Sequence, residues 1–214
     1  MAVSGTTTVA ALVLERPGRA RVLEQLGLDY CCGGKRSLAE ACRRRGLDLD
    51  AVASALDAEP ENGVCEVAGL SDAELCEHIV SVHHARLREE LPRLAGLLDK
   101  VVRAHGKDDP RLLFVRGAFA DLRTELEQHT EEEERVLFPA IVAGSGADVT
   151  SFEDEHAAAG ALLERLSELT DVYDLGSALC NTHRATLHAL AELQADLHAH
   201  IHEENNVLFP RVAA

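Results

Sequence analysis

Apolar and polar positions along this chain alternate with a helical period over two stretches, separated by one stretch without any period. In residues 7–57 the apolar positions Leu12, Leu14, Val22, Leu23, Leu26 and Leu28 mark a small helical unit. Ser37 with Glu40 reads as a capping box opening one of its helices. Asp48 caps the next, which ends near Leu56. Residues 1–6 read as a flexible tail. Between 58 and 70 the period stops, and Pro60, Asn62, Gly63 and Gly69 mark a linker.

Four long helices are expected beyond it. Ser71 with Glu74 is a second capping box, starting a helix that runs to about His105 and is kinked at Pro92. Asp109-Pro110 supplies a cap and a first-turn proline for the next. Gly144 and Gly146 punctuate the hairpin that follows. Thr150 with Glu153 caps a third helix reaching about Leu169, and a fourth runs from near Ser177 to Pro210. Short connections imply antiparallel neighbours. The expected fold is all-α, with a small helical domain over 1–57, a linker over 58–70 and an up-down four-helix bundle over 71–214.

Composition narrows the function. Aromatic residues make up 3% of the chain, with no Trp, so stacking on bases is not expected. A net charge of −16 argues against a nucleic-acid backbone or an anionic membrane as partner. No segment is long enough to span a bilayer. The apolar run Val9–Leu14 is short, has no basic residue before it and is followed by Glu15-Arg16, unlike a secretory signal. Six cysteines without export point to reduced thiols in a cytoplasm.

The chemistry lies in a motif that occurs twice. His129-Thr-Glu-Glu-Glu133-Glu-Arg-Val-Leu-Phe-Pro139 returns as His200-Ile-His-Glu-Glu204-Asn-Asn-Val-Leu-Phe-Pro210, and each copy has a histidine upstream, His84 and His156. On a helix, residues four apart differ by about 40° and lie about 6 Å apart along the axis. His129 and Glu133 therefore point the same way, as do His200 and Glu204. A lone histidine is ordinarily a surface or satisfied core residue. Two identical His/Glu pairs, each with a further histidine at matching distance, point instead to a dinuclear metal site. Four imidazoles with two carboxylates suit iron, manganese or zinc. The Val-Leu-Phe-Pro tails are expected to cover one end of it.

A second motif is Asp29-Tyr-Cys31-Cys32-Gly-Gly-Lys35. Adjacent cysteines pair with each other only by straining the backbone. The glycines permit an unusual turn, and Lys35 with a nearby helix N-terminus would lower a thiol pKa. Cys31 and Cys32 are thus candidate reactive thiols in an exposed loop, against the plainer reading of two small buried hydrophobes. Cys42, Cys65, Cys76 and Cys180 are scattered and receive no role. His83 lies about 100° from His84 and reads as a residue behind the ligands or in solvent. His198 and His202 are off-face, His188 is ambiguous, and His105 is a weak candidate behind the ligands or on an access route. Glu131, Glu132 and Glu134 read as a solvated charge run.

The bundle motifs resemble the hemerythrin-like family. Taken with Asp29–Lys35, the chain over about 7–212 resembles the RIC family (ScdA/YtfE type), di-iron proteins that repair iron–sulfur clusters. The resemblance implies iron ligands at His84, His129, Glu133, His156, His200 and Glu204, the two glutamates bridging two iron ions with an oxo bridge, and a functional cysteine pair at Cys31 and Cys32. It implies damaged iron–sulfur proteins and nitric oxide as partners, with a monomer or homodimer as the working form. Two roles stay open: donation of iron, or reduction of nitric oxide as an enzyme. Oxygen-carrying hemerythrins have a further histidine where this chain has Gly160, and an aspartate where it has Asn205. Oxygen or iron binding, or sensing, is the alternative reading, and those two positions argue against reversible oxygen carriage.

Overall fold

The computed structural model describes residues 3–60 and 66–212; Cys65 and the middle of the expected linker, 61–65, lie outside the described residues. The regular elements of the described residues are all helices, and extended pairing among them is confined to one bridge between Thr8 and Ser37. They divide into two compact units, 1–75 with 198–214, and 76–197.

The first unit contains α1 (Val9–Glu15), α2 (Arg19–Gln25), α3 (Leu38–Arg45) and α4 (Leu49–Ala58). The expected caps form: Ser37 Oγ accepts from Glu40 N, and Asp48 Oδ1 from Ala51 N at 2.8 Å. Gly46 ends α3 at φ 68°, a left-handed conformation that disfavours any side chain with a Cβ. Val9, Leu12, Leu23, Leu38, Val52 and Leu56 close a core with Tyr30 and Cys42. Of the residues expected as a flexible tail, the described ones, 3–6, are tied down near its two ends. Val3 N donates to the Asp57 carboxylate, and the Gly5 and Thr7 carbonyls accept from Ala39 N and Leu38 N.

Arg19 is fully buried in this core. Its guanidinium donates to the carbonyls of Leu56 and Leu12, both at 3.2 Å, and to Glu15 at 2.8 Å. Glu15 is half exposed, so that ion pair contributes little, and the buried carbonyls carry the effect. We expect Arg19→Ala to lower stability by about 3 kcal/mol, through the lost hydrogen bonds to the buried Leu56 and Leu12 carbonyls and the cavity left behind. A urea titration checks this, and a change below about 0.5 kcal/mol would refute it.

In the same unit the C-terminal stretch ends in α11 (Phe209–Val212). Arg211 donates from there to the carbonyls of Leu70 at 2.7 Å and Ala68 at 3.0 Å. Ala68 belongs to a 3-10 turn, Glu66–Gly69, inside the stretch expected as linker. Ser71 and Glu74 make their capping box reciprocally.

The second unit holds most of the bundle. α5 (Asp72–Ile79) enters it and passes through a π turn, Val80–His84, into α6 (Ala85–His105). α7 (Arg111–Glu132) passes through a π turn, Glu133–Leu137, into the short α8 (Phe138–Val142). α9 (Thr150–Leu169) and α10 (Asn181–Glu203) complete it. Each long helix presents a stripe at three- and four-residue spacing to one core: Leu87, Leu91, Leu94 and Leu98; Val115, Phe119, Leu122 and Leu126; Ala159, Leu163 and Leu166; Leu190, Leu193 and Leu197. The pairings are antiparallel. Asp99 meets Arg116 while His84 meets Glu133, and Arg111 meets Asp171 while His129 meets Glu155.

Three expected details differ. The first long helix is interrupted by the π turn Val80–His84, and α6 then runs on through Pro92, which sits on its exposed face. The third helix starts as Asp148 Oδ1 accepts from Thr150 N, rather than with Thr150 as the cap. The fourth starts at Asn181 because Leu175–Ser177 forms a 3-10 turn, and the left-handed Asp171, Val172 and Tyr173 turn the chain before it.

Candidate metal centre

Four of the six expected ligands lie in the second unit, and their side chains meet. His84 ends one π turn and Glu133 begins another. His129 lies in the last turn of α7 and His156 in the second turn of α9. All four are buried, Glu133 completely. Glu133 stands between two imidazoles, with Oε2 at 3.3 Å from His84 Nε2 and Oε1 at 3.2 Å from His129 Nε2. His129 Nε2 is 2.9 Å from His156 Nε2. The ligand atoms of His129, Glu133 and His156 all lie within 4.8 Å of one another.

These side chains suit a cation better than one another. His84 Nδ1 is 2.7 Å from Glu134 Oε1, and His129 Nδ1 is 2.6 Å from Glu155 Oε2. A carboxylate beside Nδ1 fixes the proton there, so each Nε2 presents a lone pair to the interior. Those lone pairs face the oxygens of Glu133, neither of which has a hydrogen-bond partner. Acceptor against acceptor in a buried space is unfavourable unless a cation lies between them. Phe138, in the first turn of α8, stacks on His84 with ring centres 5.8 Å apart. Leu137 and Phe138 are buried as expected of the Val-Leu-Phe-Pro tail, whereas Val136 is exposed.

The first unit holds the other copy of the motif. His200 Nε2 and Glu204 Oε1 are 3.0 Å apart, both buried, and Glu204 begins a third π turn, Glu204–Leu208. Both His/Glu pairs thus have the histidine at the end of an α-helix and the glutamate on the first residue of a π turn. Single π turns concentrate at functional sites. Val207, Leu208 and Phe209 of this copy are buried.

The other histidines sort by geometry. His83 is buried, with Nδ1 3.4 Å from Asp196 Oδ1 and its ring edge-on to His78. His105 is no neighbour of the ligands: α6 carries it roughly 30 Å along the axis from His84. There its charge adds to the burial that lowers the His183 pKa below the ordinary imidazole value. His188 is exposed beside Glu192. His198 and His202 pack edge-on against Tyr30. Burial lowers the pKa of both, and His202 Nδ1 lies 3.1 Å from the Tyr30 carbonyl, to which a neutral ring donates.

The cysteine motif is an ordered turn rather than an exposed loop. The Asp29 carboxylate accepts from Cys31 N at 3.0 Å, Gly33 N at 2.8 Å and Cys31 Sγ at 3.3 Å. Asn206 Nδ2 donates to the Cys31 carbonyl. Gly33 and Gly34 are there for close approach. A Cβ on Gly34 would stand 2.6 Å from Asn206 Oδ1 and from the Tyr30 carbonyl. Cys31 is buried and Cys32 half-buried, neither is in a disulfide, and their sulfurs are 4.0 Å apart. The Cys32 hydrogen bond, burial and the Asp29 charge push the Cys31 thiol well above its ordinary pKa, opposite to the lowering expected from the exposed Lys35.

Two carboxylates beside the His84 and His129 imidazoles carry little mark in the sequence. Glu134 lies in a run that reads as solvated charge, and Glu155 belongs to no motif. Their only signal is adjacency to an expected ligand, Glu134 following Glu133 and Glu155 preceding His156. In the described residues no helix is long and apolar enough to cross a membrane.

Residues 77–212 match the hemerythrin HHE cation binding domain, and residues 5–59 match ScdA_N, a domain of unknown function (DUF542). The chain is 37% identical over 214 residues to "Iron-sulfur cluster repair protein YtfE" of Yersinia pseudotuberculosis serotype IB, covering 95% of each. It is 38% identical to the protein of that name from serotype O:1b and 37% to that of Yersinia pestis strain Pestoides F, again over 95% of each chain.

Proposed function

The chain belongs to the hemerythrin-like family of iron–sulfur cluster repair proteins, and from that premise we propose that it is a non-haem di-iron protein restoring iron–sulfur clusters damaged by nitrosative or oxidative stress. The observation that carries this reading is Glu133, buried without a hydrogen bond between two imidazole nitrogens whose far sides rest on carboxylates. His84, His129, His156 and Glu133 supply one part of the ligand set. The repeat assigns the remainder to His200 and Glu204, with both glutamates and an oxo group as bridges. Ligand chemistry also suits manganese or zinc, and the family favours iron.

Bound iron would supply one-electron redox chemistry and open positions for a diatomic. The protein's own groups hold and orient. Glu134 and Glu155 fix the tautomers of His84 and His129. Phe138 and Leu137 close their side against water. Six protein ligands for two metals leave positions open for nitric oxide or for loss of iron to an acceptor. The partners are then damaged iron–sulfur proteins in the cytoplasm and nitric oxide, with the chain as monomer or homodimer in two domains, 1–57 and 71–214. Gly160 and Asn205 leave the chain without the full ligand set of an oxygen carrier.

The test is anaerobic purification with metal analysis, followed by incubation with a nitric-oxide-damaged iron–sulfur enzyme. About two irons per chain and recovery of the enzyme are expected. Recovery with loss of iron from the protein identifies a donor, and nitrous oxide formed with an added reductant identifies a reductase. Zinc or manganese in place of iron, or no recovery with fully loaded protein, would refute the proposal.

A further inference from the structure

His84 and His129 each stand between two carboxylates. Each lies beside Glu133 through Nε2, and each has a glutamate on Nδ1 at nearly the same distance, 2.7 Å to Glu134 and 2.6 Å to Glu155. The difference lies behind those glutamates. The oxygen of Glu134 that faces His84 also accepts from the Arg88 guanidinium. Among the described residues no lysine or arginine pairs with Glu155. Arg88 lies on α6 four positions after His84, the residue that leads into that helix, and so falls on nearly the same side of it. We propose that the Arg88–Glu134 pair makes the two iron positions unequal, so that the iron on His84 is held less tightly and leaves first. The inference rests on the di-iron reading above.

The physical argument concerns how strongly each imidazole donates to metal. A carboxylate on the far N–H pulls that proton and enriches the other nitrogen, and losing such a partner costs about 10–100-fold in metal affinity. Glu155 acts on His129 with its full charge. Glu134 divides the same oxygen between His84 and a guanidinium, and the cation draws density away from the imidazole. His84 is therefore the weaker donor. Solvent moderates the difference, because Arg88 is 56% exposed and Glu134 29% exposed. Glu155 is itself 42% exposed, so screening does not remove the asymmetry from one side alone.

If Arg88–Glu134 were an ordinary surface ion pair, it would contribute little to stability and nothing to the order of metal release. If it tunes His84, a protein with two irons can surrender one to an acceptor while the other keeps His129 and His156 organised. Arg88 and Glu134 are then positioning residues, acting on iron only through the imidazole.

The experiment uses the full chain loaded with iron-57, reduced, and mixed with excess ferrous chelator. Release is followed by absorbance, and the iron that remains by Mössbauer spectroscopy. Wild type is expected to release about one iron per chain in a fast phase and the other at least several-fold more slowly, with one quadrupole doublet fading before the other. Arg88→Gln should slow the fast phase several-fold and shift only the early doublet. Arg88→Lys, which keeps the charge, should restore the fast phase. Glu155→Gln should accelerate the slow phase by about 10-fold. Single-phase release from a wild type with two irons would overturn this inference and leave the di-iron reading standing. Biphasic release unchanged by Arg88→Gln would overturn it equally. Fewer than two irons in the loaded wild type would overturn both.

Discussion

Glu133→Gln should lose most of its iron while the protein without metal becomes no less stable. The two effects have opposite origins. Glu133 is completely buried, its oxygens have no hydrogen bond, and they face the Nε2 atoms of His84 and His129 at 3.3 and 3.2 Å. With metal present, glutamine keeps the shape but removes the negative charge. The loss should exceed the about 10–100-fold that removal of an outer carboxylate costs. Without metal, a buried carboxylate among lone pairs is a burden, and an amide can donate to one of them. The metal-free variant should therefore unfold at the same temperature as wild type or a higher one. The iron-loaded comparison should reverse, because bound metal stabilises only the protein that binds it. Glu204→Gln should lose iron likewise, on the strength of the repeat. Metal analysis and calorimetry on both forms decide the matter. Full iron occupancy in the Glu133→Gln/Glu204→Gln double variant would refute the assignment of the bridges.

The parts of the fold legible in the sequence are those fixed by local geometry. Ser37 with Glu40, Asp48 and Ser71 with Glu74 all cap helices as read, since a cap needs only residues within one turn. Gly144 and Gly146 take positive φ in the expected hairpin. The π turns were not legible. Each inserts a residue into a continuous helix, and nothing in the composition of Val80–His84 or Glu133–Leu137 marks it. His84 ends the first of these turns and Glu133 begins the second, so the backbone that carries both departs from the regular helix assumed by the four-residue spacing. Residues 3–6 were misread as a tail because their partners, Asp57 and Ala39, are distant in sequence.

The site divides the same way. His129 and Glu133 announce themselves by spacing and repetition, and His84 and His156 by their matched distances upstream. Glu134 and Glu155 become visible only when α6, α7 and α9 are brought side by side, because each acts on a histidine of another element. The run Glu131–Glu134 shows the difficulty. Glu131 is solvated as expected, Glu133 and Glu134 touch imidazoles, and the sequence gives four identical letters. The cysteine motif was identifiable but its setting was not. Its burial depends on Asn206, which lies 175 positions from Cys31 and donates to its carbonyl.

That setting sharpens what the cysteines should do. Replacing Cys31 and Cys32 together with Ala should leave iron content and the iron spectrum unchanged and lower repair of a damaged iron–sulfur enzyme. The two thiols are not equivalent. Cys31 is buried, its Sγ lies 3.3 Å from Asp29 Oδ1, and its pKa stands well above the usual thiol range. A thiol of that kind is a poor nucleophile in the resting state, since the thiolate is the reactive form. Cys32 is half-buried, so it is the sulfur that a nitrosyl or an iron ion can reach first. Cys31, 4.0 Å away, is placed to respond once Cys32 has been modified. Cys32→Ala should then reproduce most of the loss seen in the double variant. Cys31→Ala should show a smaller functional loss together with lower stability, because it removes a core side chain. The comparison is made with wild type, both single variants and the double variant, each carrying the same measured iron, against one nitric-oxide-damaged enzyme. Equal recovery with all four would show that the pair only fills space, and a deficit confined to Cys31→Ala would reverse the assigned order of the two sulfurs.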